Sequence, residues 1–145
     1  MKTLGQTLNF QDFFSPENNQ YFLISTNEAG YKIAWSLNKN LQMHFCRAAD
    51  HELTIKNTTH YFELFEYEDS SEQIWKLVKT KSIKGAPIAI REISIFDFII
   101  ILQNPLDKKN KIDFIRKIKS ISMIRLIQEL KFEKFSGKTV YNLPI

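Results

Sequence analysis

Cysteine, glycine and proline are all scarce in this chain, with one Cys, four Gly and four Pro among 145 residues. The lone Cys46 excludes an intramolecular disulfide and fits a reducing compartment. So little Gly and Pro excludes collagen-like and low-complexity chains. No GxGxxG or GxxxxGK[ST] loop is present to cradle a phosphate. Gly137-Lys138-Thr139 has the form of the end of such a loop, but the upstream glycine is missing and Tyr141 to Ile145 is too short for its helix. Also missing is a long apolar run. The longest, Ile93 to Leu102, is interrupted by Asp97, whereas a spanning helix needs about 20 apolar residues. The opening residues carry no signal-peptide pattern. The expectation is a cytoplasmic protein, neither secreted nor inserted in a membrane.

What is present is core material. Apolar residues make up 43% of the chain, and twelve residues are Phe. A chain of this size forms one domain, residues 1–145, burying roughly 70% of the surface its unfolded form exposes.

The net charge of +4 is unevenly spread. Residues 51–80 hold six acids and three bases, whereas residues 81–145 hold thirteen bases and six acids. A basic half attracts nucleic acid or an acidic partner. However, sixteen of the twenty bases are Lys and only four are Arg, the residue best suited to bidentate phosphate and base recognition.

Along the chain, Gln20 to Thr26 predicts a strand. Asn27 is a candidate N-cap, with Glu28 in the first turn of a helix that carries Ile33 and Leu37 on one face and Tyr31, Ala34 and Trp35 on an adjoining one. Asn38 and Asn40 mark its stop. Leu41 to Arg47 alternates as a half-buried strand would. His60 to Glu68 and Gln73 to Thr80 predict a hairpin turning through Asp69 to Glu72, with Lys76 or Lys79 facing Glu63 or Glu66. After Lys84 to Pro87 the chain to Leu102 reads as mostly extended. Asn104-Pro105 predicts a helix start, with Asp107 at the third position and Phe114, Ile112, Ile115 and Ile118 facing inward. Ile121 to Ile127 reads as extended, followed by a short piece from Leu130, a turn at Ser136-Gly137 and a last strand over Thr139 to Leu143. The order predicts an α+β fold, a mainly antiparallel sheet with two or three helices packed on one face.

Ile90 to Phe98 reads Ile-Arg-Glu-Ile-Ser-Ile-Phe-Asp-Phe. This resembles the signature of the IPExxxVDY family of small bacterial proteins. Ile90 and Glu92 match its first half and Asp97 its second, while Phe96 and Phe98 stand for Val and Tyr, and Arg91 stands where the family has Pro. The flanking strand, the Trp-bearing helix and the aromatic hairpin are also similar. The resemblance implies one coherent domain, with Ile90, Glu92, Phe96, Asp97 and Phe98 as a structural motif, and it implies no chemistry.

Two constellations invite a sharper reading. In an extended strand Glu92 and Asp97 would lie on opposite faces some 16 Å apart, too far for the roughly 5–10 Å of paired glycosidase carboxylates. Asp97, inside an apolar run, must find donors or a cation. His44 and Cys46, with Asp50, His51 and His60 nearby, would suggest zinc or a Cys/His nucleophile, but no CxxC, HExxH or orienting third residue accompanies them. They read as ordinary strand residues with a partly buried thiol. The run Lys108, Lys109, Lys111, Arg116, Lys117 and Lys119 reads as the solvated face of a helix. The expected function is therefore non-enzymatic, a protein-binding or adaptor module that holds no cofactor and binds itself or another protein. The alternatives are a nucleic-acid-associated protein using the basic C-terminal face and a small enzyme with a dispersed site.

Overall fold

The computed structural model describes residues 19–55, 57–85 and 91–130. Its frame is a seven-stranded sheet in which every described pairing is antiparallel: β1 (Gln20–Thr26), β2 (Cys46–Arg47), β3 (His51–Ile55), β4 (Thr58–Glu68), β5 (Ile74–Ser82), β6 (Phe98–Leu102) and β7 (Ile124–Glu129). The spatial order is β2-β4-β5-β6-β1-β7, with β3 also paired to β4. Two long helices, α1 (Gly30–Leu41) and α3 (Lys108–Lys119), and a single helical turn, α2 (Arg91–Ser94), complete an α+β fold. No helix among the described residues is long and apolar enough to cross a membrane.

The inner strands explain their own sequences. Residues Tyr21 to Ile24 of β1 and all five residues of β6 are buried, because each strand has neighbours on both edges and side chains packed on both faces. A strand in that position needs a continuous apolar run rather than alternation. Their side chains divide by parity into two cores. One contains Tyr21, Leu23, Leu64, Val78, Ile99 and Ile101, with Ile93 of α2. The other contains Phe22, Ile24, Leu77, Phe98, Ile100 and Leu102, with Ile33, Ala34 and Leu37 of α1 and Phe114 and Ile118 of α3. Each such side chain contributes roughly 1.5–3 kcal/mol by leaving water.

The hairpin forms as expected, and Glu66 lies opposite Lys76. Its turn is tied by Asp69, whose Oδ1 accepts from the backbone N–H groups of Ser71 (2.8 Å) and Gln73 (3.0 Å), while Oδ2 accepts from Trp75 Nε1 (3.1 Å). Burial acts to raise the Asp69 pKa, but the bonds from Trp75, Gln73 and Ser71 outweigh it and hold the carboxyl below its ordinary value. Burial, and then the Asp69 charge, push Tyr67 up to about 12. The Tyr67 ring stacks on its cross-strand neighbour Trp75 and meets Phe45 edge-on.

Several expectations are corrected. The N-cap of α1 is Ala29, not Asn27, so Glu28 lies outside the helix. Gly30 at its first position leaves room for Glu63, since a Cβ there would lie 2.2 Å from Glu63 Oε1 and the carboxylate, which β4 brings to the positive helix end, would have to shift. The helix passes Asn38 and Asn40, ending at Leu41 with Gln42 left-handed. Leu41 to Arg47 is a strand only at Cys46–Arg47. Before it, Asn38 substitutes for a strand partner, accepting from Phe45 N (2.8 Å) and donating to Phe45 O (3.1 Å). Ile88 to Leu102 is broken by α2, so the extended spacing assumed between Glu92 and Asp97 does not hold. The N-cap of α3 is Asp107, which accepts from Asn110 N, rather than Asn104. Ile112 of α3 faces solvent, being 56% exposed. The last described strand starts at Ile124, not Ile121. The elements expected after Leu130 and the Gly137-Lys138-Thr139 segment lie outside the described residues.

Candidate functional site

Helix α1 has two unlike faces. Its inward positions Ile33, Ala34 and Leu37 are buried. On the outside, Tyr31 and Trp35 stand one turn apart, 64% and 57% exposed. Residues four apart on a helix are neighbours, so the two rings share one patch. Lys39, a further turn on, places its Nζ 4.9 Å from the centroid of the Trp35 ring. Lys32 pairs with Glu28 at 3.5 Å. Exposed Leu or Ile side chains need no explanation one at a time. Two adjacent large aromatics are of the kind that anchors protein interfaces.

Helix α3 is in contact with α1 and adds the exposed Ile112 and a set of cations. Lys111 pairs with Glu129 at 3.0 Å, and Arg116 and Lys117 both engage Asp113. Those bonds, Arg116 first, hold the Asp113 carboxyl below its ordinary value. Lys108, Lys109 and Lys119 are exposed. Two acids, Glu129 and Asp113, thus offset two of the six cations, which thins the positive charge that duplex binding would use.

The motif residues disperse. Ile90 lies outside the described residues and Glu92 falls in α2. Phe96 and Phe98 are buried in different cores. Asp97 is a junction. Its Oδ2 accepts from Thr26 N (2.9 Å), its own N–H donates to Ile24 O (2.8 Å), and its carbonyl accepts from Thr80 N (3.0 Å). It therefore extends the pairing of β6 with both β1 and β5 by one step. No other carboxylate appears among its hydrogen-bond partners.

His44, Cys46, Asp50, His51 and His60 are not gathered into one site. His44 packs edge-on against Tyr67. Cys46 is exposed, which corrects the partly buried thiol. Among the described residues no three of His, Cys, Asp and Glu converge as a metal ligand set. Asp50 and His60 instead line a cavity of about 250 Å³ with Thr58, Thr59, Tyr61, Ser82, Ile83 and Lys84. Sequence reasoning missed this cavity, because its walls come from three separate segments with no shared motif. The face of α1 was partly legible, since the spacing of Tyr31 and Trp35 sets them apart from Ile33 and Leu37. Compared with protein families, with curated proteins and with solved structures, the chain matches none.

Proposed function

We propose that this protein is a non-enzymatic binding module whose outer α1 face docks an acidic, partly apolar segment of a partner protein. The observation that carries this is the exposed Tyr31–Trp35 pair on a helix that otherwise buries its apolar side chains. Charge supports the chemistry of the partner, since Lys39 lies over the Trp35 ring and the neighbouring α3 exposes Lys108, Lys109 and Lys119. In this reading the chain is one domain, and α1 and α3 form one layer on the sheet. The shared core of Ile33, Leu37, Phe114 and Ile118 supports that. A cytoplasmic setting is supported by the exposed free thiol of Cys46. The likeness of Ile90 to Phe98 to the IPExxxVDY signature is a proposed relationship and assigns no activity.

The test is selection from a random peptide library on the purified full chain. The expected winners combine Asp or Glu with Leu, Phe or Trp. They should protect Trp35 from acrylamide quenching, a clean signal because the only other tryptophan, Trp75, is buried. Trp35→Ala should weaken them about thirtyfold, as losing an interface hot spot of about 2 kcal/mol does. Peptides that bind Trp35→Ala as well as the parent would sink the reading. So would a dimer in sedimentation that Trp35→Ala dissociates, which would give the face to a second copy.

A further inference from the structure

The cavity beside the β3–β4 hairpin is independent of α1. Its wall is fixed by the main chain: Ile83 N donates to Tyr61 O at 2.7 Å, and Gly85 N donates to Ser82 O at 2.8 Å. Gly85 has φ +91°, a backbone that glycine adopts without strain, and the turn it closes carries Lys84 to the cavity. The volume of about 250 Å³ equals that of about eight liquid waters, below the range of drug-sized pockets. The occupant it fits is small.

The lining specifies more. Tyr61 and Ile83 give apolar walls and are 43% and 60% exposed, so an apolar group placed there removes surface from water. Asp50 supplies one carboxylate, of which Oδ1 is taken by Arg47 and the second oxygen is left to accept. Lys84 supplies one ammonium and forms no ion pair with any described acid. Thr58, Thr59, His60 and Ser82 add polar groups to the lining. The lining itself carries one charge of each sign, with the Asp50 carboxylate ion-paired to Arg47 outside it; a polyphosphate meets the carboxylate and a simple cation meets the ammonium. We propose that this cavity binds a small zwitterion with an apolar side chain, the chemistry of a free α-amino acid. Its ammonium faces Asp50, its carboxylate faces Lys84, and its side chain lies against Tyr61 and Ile83.

Four probes test this on the full chain by NMR titration: leucine, phenylalanine, leucinamide (no carboxylate) and N-acetyl-leucine (no ammonium). The expected result is saturable shifts at Tyr61, Ile83 and Lys84 with both amino acids. Each blocked probe should bind about tenfold or more weaker, as loss of a charge-assisted pair gives. Lys84→Gln should weaken leucine to the level of leucinamide without weakening leucinamide, which is relieved of a like charge, while Lys84→Arg restores leucine and shows that the fold is intact. Asp50→Asn should act likewise on leucine without weakening N-acetyl-leucine. No saturable shift with either amino acid overturns the proposal, as does equal binding of free and blocked probes.

Discussion

Replacing Asp69 tests how the β4–β5 hairpin is held. The carboxylate takes three hydrogen bonds, two from turn amides and one from the indole of Trp75. In Asp69→Ala the turn amides of Ser71 and Gln73 turn to water at little cost. Trp75 is only 5% exposed, so its indole N–H reaches water less readily. A buried donor left unmatched costs about 1–3 kcal/mol, which lowers the midpoint of a chain this size by roughly 3–10 °C. Asp69→Asn separates the parts. Its carbonyl still accepts from the turn, but its amide presents N–H groups where the indole N–H needs an acceptor. The variant should therefore lose most of what Asp69→Ala loses. In a Trp75→Phe background the Asp69→Asn cost should shrink to a few tenths of a kcal/mol. The assay is thermal unfolding followed by circular dichroism at several pH values. Because the folded pKa of Asp69 is depressed, its contribution is fully present above the ordinary carboxylate pKa of about 3.9 and is lost as pH falls through the folded value. Parent and Asp69→Asn should therefore converge in acid. An Asp69→Asn cost that is unchanged by Trp75→Phe would refute the reasoning.

Asp97→Ala should lower stability by about 1–3 kcal/mol, because Thr26 N–H loses its acceptor, and Asp97→Asn should lower it less; a melt at or above the parent temperature would make Asp97 a site residue instead. Asn38→Ala should cost about 1–3 kcal/mol by stripping both partners from the Phe45 peptide, and native-state hydrogen exchange should show the Phe45 amide losing protection first. Gly30→Ala, which in an open helix gains up to about 1 kcal/mol, should gain nothing here in denaturant unfolding, and Glu63→Ala should restore the gain.

Local pattern made the strands and long helices legible where one element's environment decided the outcome. Tyr21 to Ile24 is buried on both faces and reads apolar throughout, while Tyr61 to Glu68, also between strands, exposes Tyr61, Glu66 and Glu68 and alternates apart from the buried pair Leu64 and Phe65. Where a distant segment decided, the pattern misled. Asn27 has good capping chemistry, yet α1 starts two residues later, with Ala29 as its N-cap and Glu63 close to Gly30. Ile112, Ile115 and Ile118 looked like one stripe, but steps of three drift around a helix, and the buried pair is Phe114 and Ile118. A single turn of four residues, Arg91 to Ser94, is too short to show a helical period, so α2 was hidden. His51 to Ile55 was missed because, among its described side chains, only Leu53 is buried. Tyr31 and Trp35 could be assigned to a face but not to solvent, since large aromatics on a helix are usually core. The cavity exists only once Asp50, the start of β4 and the end of β5 with the turn after it are side by side.

The position of β1 has a kinetic consequence. Both of its neighbours, β6 and β7, come late in the chain, starting at residues 98 and 124. During synthesis at about 5–20 residues per second, Gln20 to Thr26 waits roughly 4–15 s for its first partner and some seconds more for its second. For that interval a strongly apolar β-forming segment has two bare edges, and closing the sheet demands loops of about seventy residues or more. The nascent chain, not the finished fold, is where this protein is most exposed to mispairing. A chain arrested before residue 98 should be held by chaperones or aggregate through that one segment.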